Sequence, residues 1–171
     1  MKIAVLTVSD RSARGEREDR SGPLIHEIAL QRGWEVIASD IIADEQAEIE
    51  GRLASWCDSG EIDLILTTGG TGFSPRDRTP EATRKVVERL VPGLTEAMRA
   101  RSMSKTPHAM LSRAVAGIRK QTLIVNLPGS PKAVKENLAV IIPALPHAIQ
   151  LLREDPEAEQ GHQLPPPPRV T

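Results

Sequence analysis

LILTTGGTGFSPRDRTPEATR, residues 64–84, is the stretch on which the fold turns. It opens as a short apolar run, passes through Gly69, Gly70 and Gly72, and restarts as a helix at Thr79 and Pro80. A strand that empties through glycines and hydroxyls into a helix start is the way an α/β sheet offers backbone N–H groups to an anion. Glycine lets the backbone turn sharply and come close to a ligand; Thr67, Thr68, Thr71 and Ser74 add hydroxyl donors. No Gly-Lys-Ser/Thr closes the loop and no GxGxxG is present, so it is neither a Walker A loop nor a dinucleotide fingerprint.

Outward from that loop the chain alternates. Residues 2–8 form a nearly continuous apolar run, as a strand buried on both faces requires. Ser21, Gly22 and Pro23 predict a helix start with Ser21 as N-cap, and Gly33 predicts its end. A second strand is expected over about 34–42, a helix from Ala43-Asp44 to Gly60, and a third strand over 63–68. This order predicts a parallel sheet with right-handed crossovers. Past the glycine loop a helix over 80–91 is expected, then another over about 94–102 and a short turn at Ala109 to Leu111. The runs 114–119 and 122–127 are separated only by Lys120 and Gln121, which fits an antiparallel hairpin and a mixed sheet. Helices from 132 to 142 and on to about Arg153 complete one domain over residues 1–153. Residues 154–171, with four consecutive prolines and almost no core-forming side chains, read as a disordered tail.

Composition narrows the function. With 22 basic and 23 acidic residues in 171, the chain lacks the broad positive field of a general nucleic-acid binder. One Phe, two Trp and no Tyr leave no base-stacking platform. No apolar run approaches a membrane span and the N-terminus has no signal-peptide pattern, so a cytoplasmic protein is expected. Cys57 alone permits no internal disulfide and fits a reducing compartment; on an apolar helix face it reads as a buried structural thiol. His26, His108, His147 and His162 lack metal-ligand spacing, and no Gly-x-Ser-x-Gly elbow appears.

Ligands of open α/β sheets bind beyond the carboxyl ends of the strands. Four loops meet that condition: Ser9-Asp10-Arg11, Asp44, the 67–78 loop, and Pro128-Gly129-Ser130. Asp44 and Asp77 at neighbouring strand ends suit Mg²⁺, which is held by one or two carboxylates together with substrate phosphates. Asp44 is equally open to reading as a helix N-cap, Asp77 as an ion-pair partner of Arg76 or Arg78, and Asp10 as the cap of a turn.

The motifs Val8-Ser9-Asp10-Arg11 with Asp19-Arg20-Ser21-Gly22-Pro23, Ala43-Asp44, TTGGTGFSPRDRTPEAT (67–83), Leu111-Ser112-Arg113-Ala114 and Asn126-Leu127-Pro128-Gly129-Ser130-Pro131 occur in this order over most of residues 2–152. In this the chain resembles the molybdenum-cofactor biosynthesis family of the bacterial molybdopterin adenylyltransferases (MogA and MoaB types) and the gephyrin G domain. The resemblance implies a three-layer α/β/α sandwich around a mostly parallel mixed sheet, assembled as a homotrimer. It implies transfer of AMP from Mg²⁺-ATP to molybdopterin with release of pyrophosphate, the product passing to a molybdate-insertion protein or domain. Carried over onto this chain, Asp44 and Asp77 become the catalytic, Mg²⁺-organising carboxylates. Ser9, Asp10, Thr67, Thr68, Gly69, Gly70, Thr71, Gly72, Ser112, Arg113, Pro128, Gly129 and Ser130 become substrate-binding residues. Arg78 stands where the family frequently has valine. The alternative within the family is a non-catalytic, MoaB-like molybdopterin-binding protein.

Overall fold

The computed structural model describes residues 1–156 and 158. Its elements are β1 (Lys2–Val8), α1 (Asp10–Ala13), α2 (Ser21–Gln31), β2 (Glu35–Ile42), α3 (Gln46–Asp58), β3 (Leu64–Thr68), α4 (Thr79–Val86), β4 (Arg89–Leu90), α5 (Pro92–Met103), a 3₁₀ turn (Pro107–Leu111), β5 (Ala116–Arg119), β6 (Thr122–Leu127), α6 (Pro131–Ile141) and α7 (Leu145–Leu152). The six strands form one sheet in the order β2-β1-β3-β6-β5-β4. β2, β1, β3 and β6 run parallel, β5 runs against β6, and β4 against β5.

Period-two alternation divides the core. Ile3 and Val5 of β1, Leu64 and Leu66 of β3, and Leu123 and Val125 of β6 face one layer built on α2, α5, α6 and α7. Ala4, Leu6, Ile65 and Ile124 face the other layer, where Ile49, Leu53 and Cys57 of α3 meet Ala82 and Val86 of α4. Every residue of β3 (LILTT) and β6 (TLIVNL) is buried, which is why apolar residues predominate in both strands and their few polar side chains lie inside the protein. The α/β class and the mixed sheet are as expected, and helices on both faces make the three layers.

Three local expectations are corrected. Ser21 does not cap α2: Asp19 Oδ1 accepts from the N–H groups of Ser21 and Gly22 at 2.9 and 3.0 Å, which frees the serine hydroxyl. Asp44 does not cap α3; the cap position is Glu45, without a side-chain bond. The helix expected over 80–91 ends at Val86, and the chain turns extended at Val87. Glu88 and Val91 donate to Ile118 and Ala116 (2.8 Å each), so Arg89 and Leu90 become an edge strand on β5. Branched Val87 and Val91 tolerate that change readily, and ladder bonds outweigh their weak helix propensity. Beyond α7, Arg153 Nη2 pairs with Asp63 (2.6 Å) and Ala158 is buried; the rest of the expected tail, residue 157 and 159–171, lies outside the described residues. No helix among the described residues is long and apolar enough to cross a membrane.

Candidate functional site

The chain leaves β1 toward β2 on one side and returns to β3 on the other, so the loops after β1 and β3 part at the centre of the sheet. That reversal is the topological switch point at which open α/β sheets bind ligands. A cleft of about 660 Å³ opens there, walled by the loops after β1, β2, β3 and β6.

Carboxylates form its floor. Asp10 N–H donates to Asp44 Oδ2 at 2.8 Å and Asp44 N–H returns a bond to Asp10 Oδ1 at 3.0 Å, a reciprocal pair across residues 34 apart. Arg76 grips both oxygens of Asp10 (Nε 3.0 Å, Nη2 2.9 Å) and reaches Glu45 at 2.8 Å. Those guanidinium bonds, with the Asp44 N–H, hold the Asp10 carboxyl below its ordinary range. Burial pushes the Asp44 carboxyl up, and the negative charges of Asp10 and Asp77 add to that push. Asp77 also lines the cleft; it closes a tight turn in which Ser74 N–H donates to its Oδ2 and its own N–H donates to Ser74 O, both at 2.9 Å.

The glycine loop crosses above this floor. Gly69 and Gly70 have φ of 98° and 61°. A Cβ at Gly69 would run into the carbonyl oxygen of Val8, and one at Gly70 into the Thr79 hydroxyl, so both conformation and space demand glycine. The start of α4, however, does not face the cleft. Thr79 is fully buried, its N–H donates to Gly70 O (3.2 Å) and its hydroxyl to Gly69 O (3.0 Å). The helix start shapes the loop instead of offering donors to an anion.

The expected binding residues divide into three groups. Ser9, Asp10, Thr68, Gly69, Gly70, Gly129 and Ser130 line the cleft with Asp44 and Asp77. Thr71, Gly72, Ser112 and Pro128 instead line a second cavity of about 310 Å³, whose walls include Met98, Leu111, Ala114 and Ala133. Consecutive residues, Gly70 and Thr71 or Pro128 and Gly129, thus face opposite cavities, and the two loops are the partition between them. Thr68 Oγ1 to Pro128 O (2.7 Å) and Ser21 Oγ to Gly129 O (2.9 Å) hold that partition together.

Thr67 and Arg113 belong to neither wall. Thr67 is fully buried on the face that carries Ile65, and its hydroxyl accepts from Asn126 Nδ2 (3.0 Å), which also bonds Thr83 (2.9 Å). Arg113 spends its donors on the glycine loop: Nε to Gly72 O (2.6 Å), Nη2 to Asp77 O (2.7 Å), and Nη1 to Glu81. Its own N–H reaches Thr71 O (3.1 Å). It staples the segment that carries Asp77. Asp19 was not among the expected residues, yet it lines the cleft and accepts from Thr7 Oγ1 at 2.6 Å. The signal was an Asp two residues before the helix start.

Among the described residues no group of three or more His, Cys, Asp or Glu is gathered to hold a metal alone. Cys57, buried in α3, has its thiol pushed up to about 11 by burial and is no nucleophile at neutral pH.

A doubly wound sheet with a glycine loop and a carboxylate-lined cleft at its switch point defines an α/β protein with a ligand cleft at the carboxyl ends of its strands. The family model described as "Probable molybdopterin binding domain" matches residues 4–147, and the chain belongs to that family. It is 45% identical over 152 residues to the molybdopterin adenylyltransferase of Helicobacter pylori strain J99, covering 88% of this chain and 86% of that protein. It is 44% identical to the gephyrin of Dictyostelium discoideum over 91% of its own length, but spans only 23% of that longer protein. Among solved structures it is similar to the molybdopterin biosynthesis enzyme MoaB of Thermus thermophilus, with 50% identity, a TM-score of 0.85, and coverage of 91% of this chain and 98% of that one.

Proposed function

We infer that the chain is a molybdopterin adenylyltransferase, transferring AMP from Mg²⁺-ATP to the phosphate of molybdopterin with release of pyrophosphate. The observation that carries this reading is the partition: a charged cleft and a more apolar cavity share one wall, so two phosphate-bearing substrates can meet across it. Relatives bearing that activity in their names, at identities near one half, support it.

The reaction asks little covalent chemistry of the protein. A molybdopterin phosphate oxygen attacks the α-phosphorus of ATP, and the bond to the oxygen bridging toward the β-phosphate breaks. The substrate brings its own nucleophile, in keeping with an inert Cys57. What the chain supplies is position and charge. Ser9, Ser130 and the edges of Gly69, Gly70 and Gly129 offer small polar contacts in the cleft; Arg113 and Glu81 keep the Asp77 turn in place. The second cavity receives a planar ring.

Asp44 and Asp77 fit a divalent cation that arrives with the nucleotide. Asp44 is a half-buried carboxylate whose charge is opposed by burial and by two neighbouring carboxylates, and two protein carboxylates completed by phosphate oxygens are an ordinary Mg²⁺ arrangement. The cation would neutralise charge on the phosphates as the bond changes hands. Assembly as a homotrimer in the cytoplasm, with a molybdate-insertion protein receiving the product, completes the proposal.

The experiment is direct. Purified protein given Mg²⁺-ATP and molybdopterin should release one pyrophosphate per molybdopterin adenylylated. Intact molybdopterin binding without pyrophosphate release would replace the transferase with a MoaB-like binding protein.

A further inference from the structure

Residues 10–20 read DRSARGEREDR, with arginines at 11, 14, 17 and 20, and all four line the charged cleft. Two are neutralised locally. Arg14 holds Glu16 with two bonds, at 2.7 and 3.0 Å, and Arg20 Nε holds Glu18 at 3.1 Å. Arg11 and Arg17 make no side-chain hydrogen bond or ion pair among the described residues, and both are exposed. The loop folds so that the backbones of these two meet at the cleft rim. Arg17 N–H donates to Arg11 O at 3.2 Å and Glu16 N–H to the same oxygen at 2.8 Å, with Gly15 at φ 72° making the turn.

The rest of the cleft has no spare cation to match them. Arg76 is committed to Asp10 and Glu45. The glycine loop contains no lysine. The helix starts on the rim are capped from within, α2 by Asp19 and α6 by Ser130, whose Oγ accepts from Ala133 N–H at 3.3 Å. A floor of Asp10, Asp44 and Asp77 repels bare phosphate, so the rim must supply the attraction. Guanidinium is always protonated and matches phosphate oxygens two at a time.

We propose that Arg11 and Arg17 grip the β- and γ-phosphates of the nucleotide and hold them as pyrophosphate when it leaves. This rests on the adenylyl-transfer reading. As the molybdopterin phosphate oxygen bonds to the α-phosphorus, the bond from that phosphorus to the bridging oxygen breaks. The electron pair stays with the bridging oxygen, and the two guanidiniums face the charge that the leaving pyrophosphate gains.

The test is calorimetric titration of the full chain, in Mg²⁺ buffer, with inorganic pyrophosphate and separately with AMP. Arg11→Ala with Arg17→Ala should weaken pyrophosphate binding about 100-fold, roughly tenfold for each charge-assisted contact. AMP affinity should stay within about twofold, since AMP lacks the phosphates those contacts serve. The Arg11→Lys, Arg17→Lys pair should recover part of the loss, because an ammonium keeps the charge but not the fork. Arg89→Ala, which removes a cation from the distant edge strand, should change neither titration. KM for ATP should rise in parallel with the pyrophosphate loss. Pyrophosphate affinity unchanged in the double alanine variant, or no pyrophosphate binding by the wild type, overturns the proposal. So does an equal loss of AMP binding, which would make the rim a diffuse field. Wild-type protein that binds pyrophosphate through these arginines but never releases it from ATP would sink the transfer reading and leave the polyphosphate grip standing.

Discussion

The two cavities on either side of the partition are built by opposite means. The charged cleft is assembled from strand-end loops, its side chains cross-tied by reciprocal and bidentate bonds among Asp10, Asp44 and Arg76. The second cavity is assembled from packed elements, α5, the 3₁₀ turn and α6, with apolar side chains interleaved with Ser102, Ser112 and Asn137. A cleft that is held by charge can be neutralised one residue at a time; a cavity held by packing can only be filled or emptied. Polar substitutions should therefore disturb the cleft and spare the cavity, and volume changes should do the reverse.

The largest expected effect breaks the charged side alone. Asp77→Asn should lower turnover by about 10³-fold, the scale of losing one preorganised electrostatic group. The turn with Ser74 can still form through the amide oxygen, so the circular dichroism spectrum and the melting curve should be unchanged. Asp44→Asn should be nearly as damaging to turnover while leaving stability equal or higher, because it removes a half-buried charge opposed by two others. A drop in melting temperature for that variant would show that the Asp10–Asp44 pair stabilises the fold by its charge.

Next comes the packed side. Ala133→Trp should fill the second cavity and raise KM for the ring-bearing substrate about 10- to 100-fold. Titration with free pyrophosphate should be untouched. If pyrophosphate binding is lost along with the rise in KM, the two cavities are one site and the partition does not divide it.

The partition itself gives a smaller, structural effect. Gly69→Ala should cost about 2–3 kcal/mol in urea denaturation, since it combines a left-handed φ with a collision against Val8. Gly60→Ala has a similar φ, 73°, but open space around it, and should cost about 1 kcal/mol. The difference isolates the close approach of the glycine loop to β1.

The smallest effect is a pH-dependent one remote from both cavities. Arg119 and Lys120 hold Asp58 down to about 2. A carboxyl lowered in the folded state stabilises above its unfolded value and loses that contribution as pH falls through the folded one. Asp58→Asn should therefore lower the melting temperature slightly at pH 7, with the gap closing toward pH 2.

Much of this architecture was legible in the sequence because it is local. Buried parallel strands announce themselves as apolar runs, and the two residues between β5 and β6 permit only a hairpin. The edge strand β4 was not legible: Val87, Leu90 and Val91 suit a helix pattern equally, and only the open edge of β5 decides. Asp44 looked like a cap because its partner Asp10 is far away in sequence, and no local rule joins them. Thr67 could have been placed correctly, since alternation puts it with Ile65 on the α4 face and not with Thr68. The second cavity had no sequence signal at all; it exists only where α5 and α6 pack beside the loop after β3. Asp19, by contrast, sat in plain view two residues before a helix start.

The reciprocal bonds between Asp10 and Asp44 have a consequence for motion. Each residue's amide is closed by the other's side chain, so each opens to solvent only when the opposite carboxylate moves away. Hydrogen–deuterium exchange should therefore find both amides slow, though Asp10 opens the single-turn α1 and Asp44 stands in a loop, positions where exchange is ordinarily fast. Any ligand that draws one carboxylate away would release the amide opposite, and the exchange rate at Asp10 would report on what happens at Asp44.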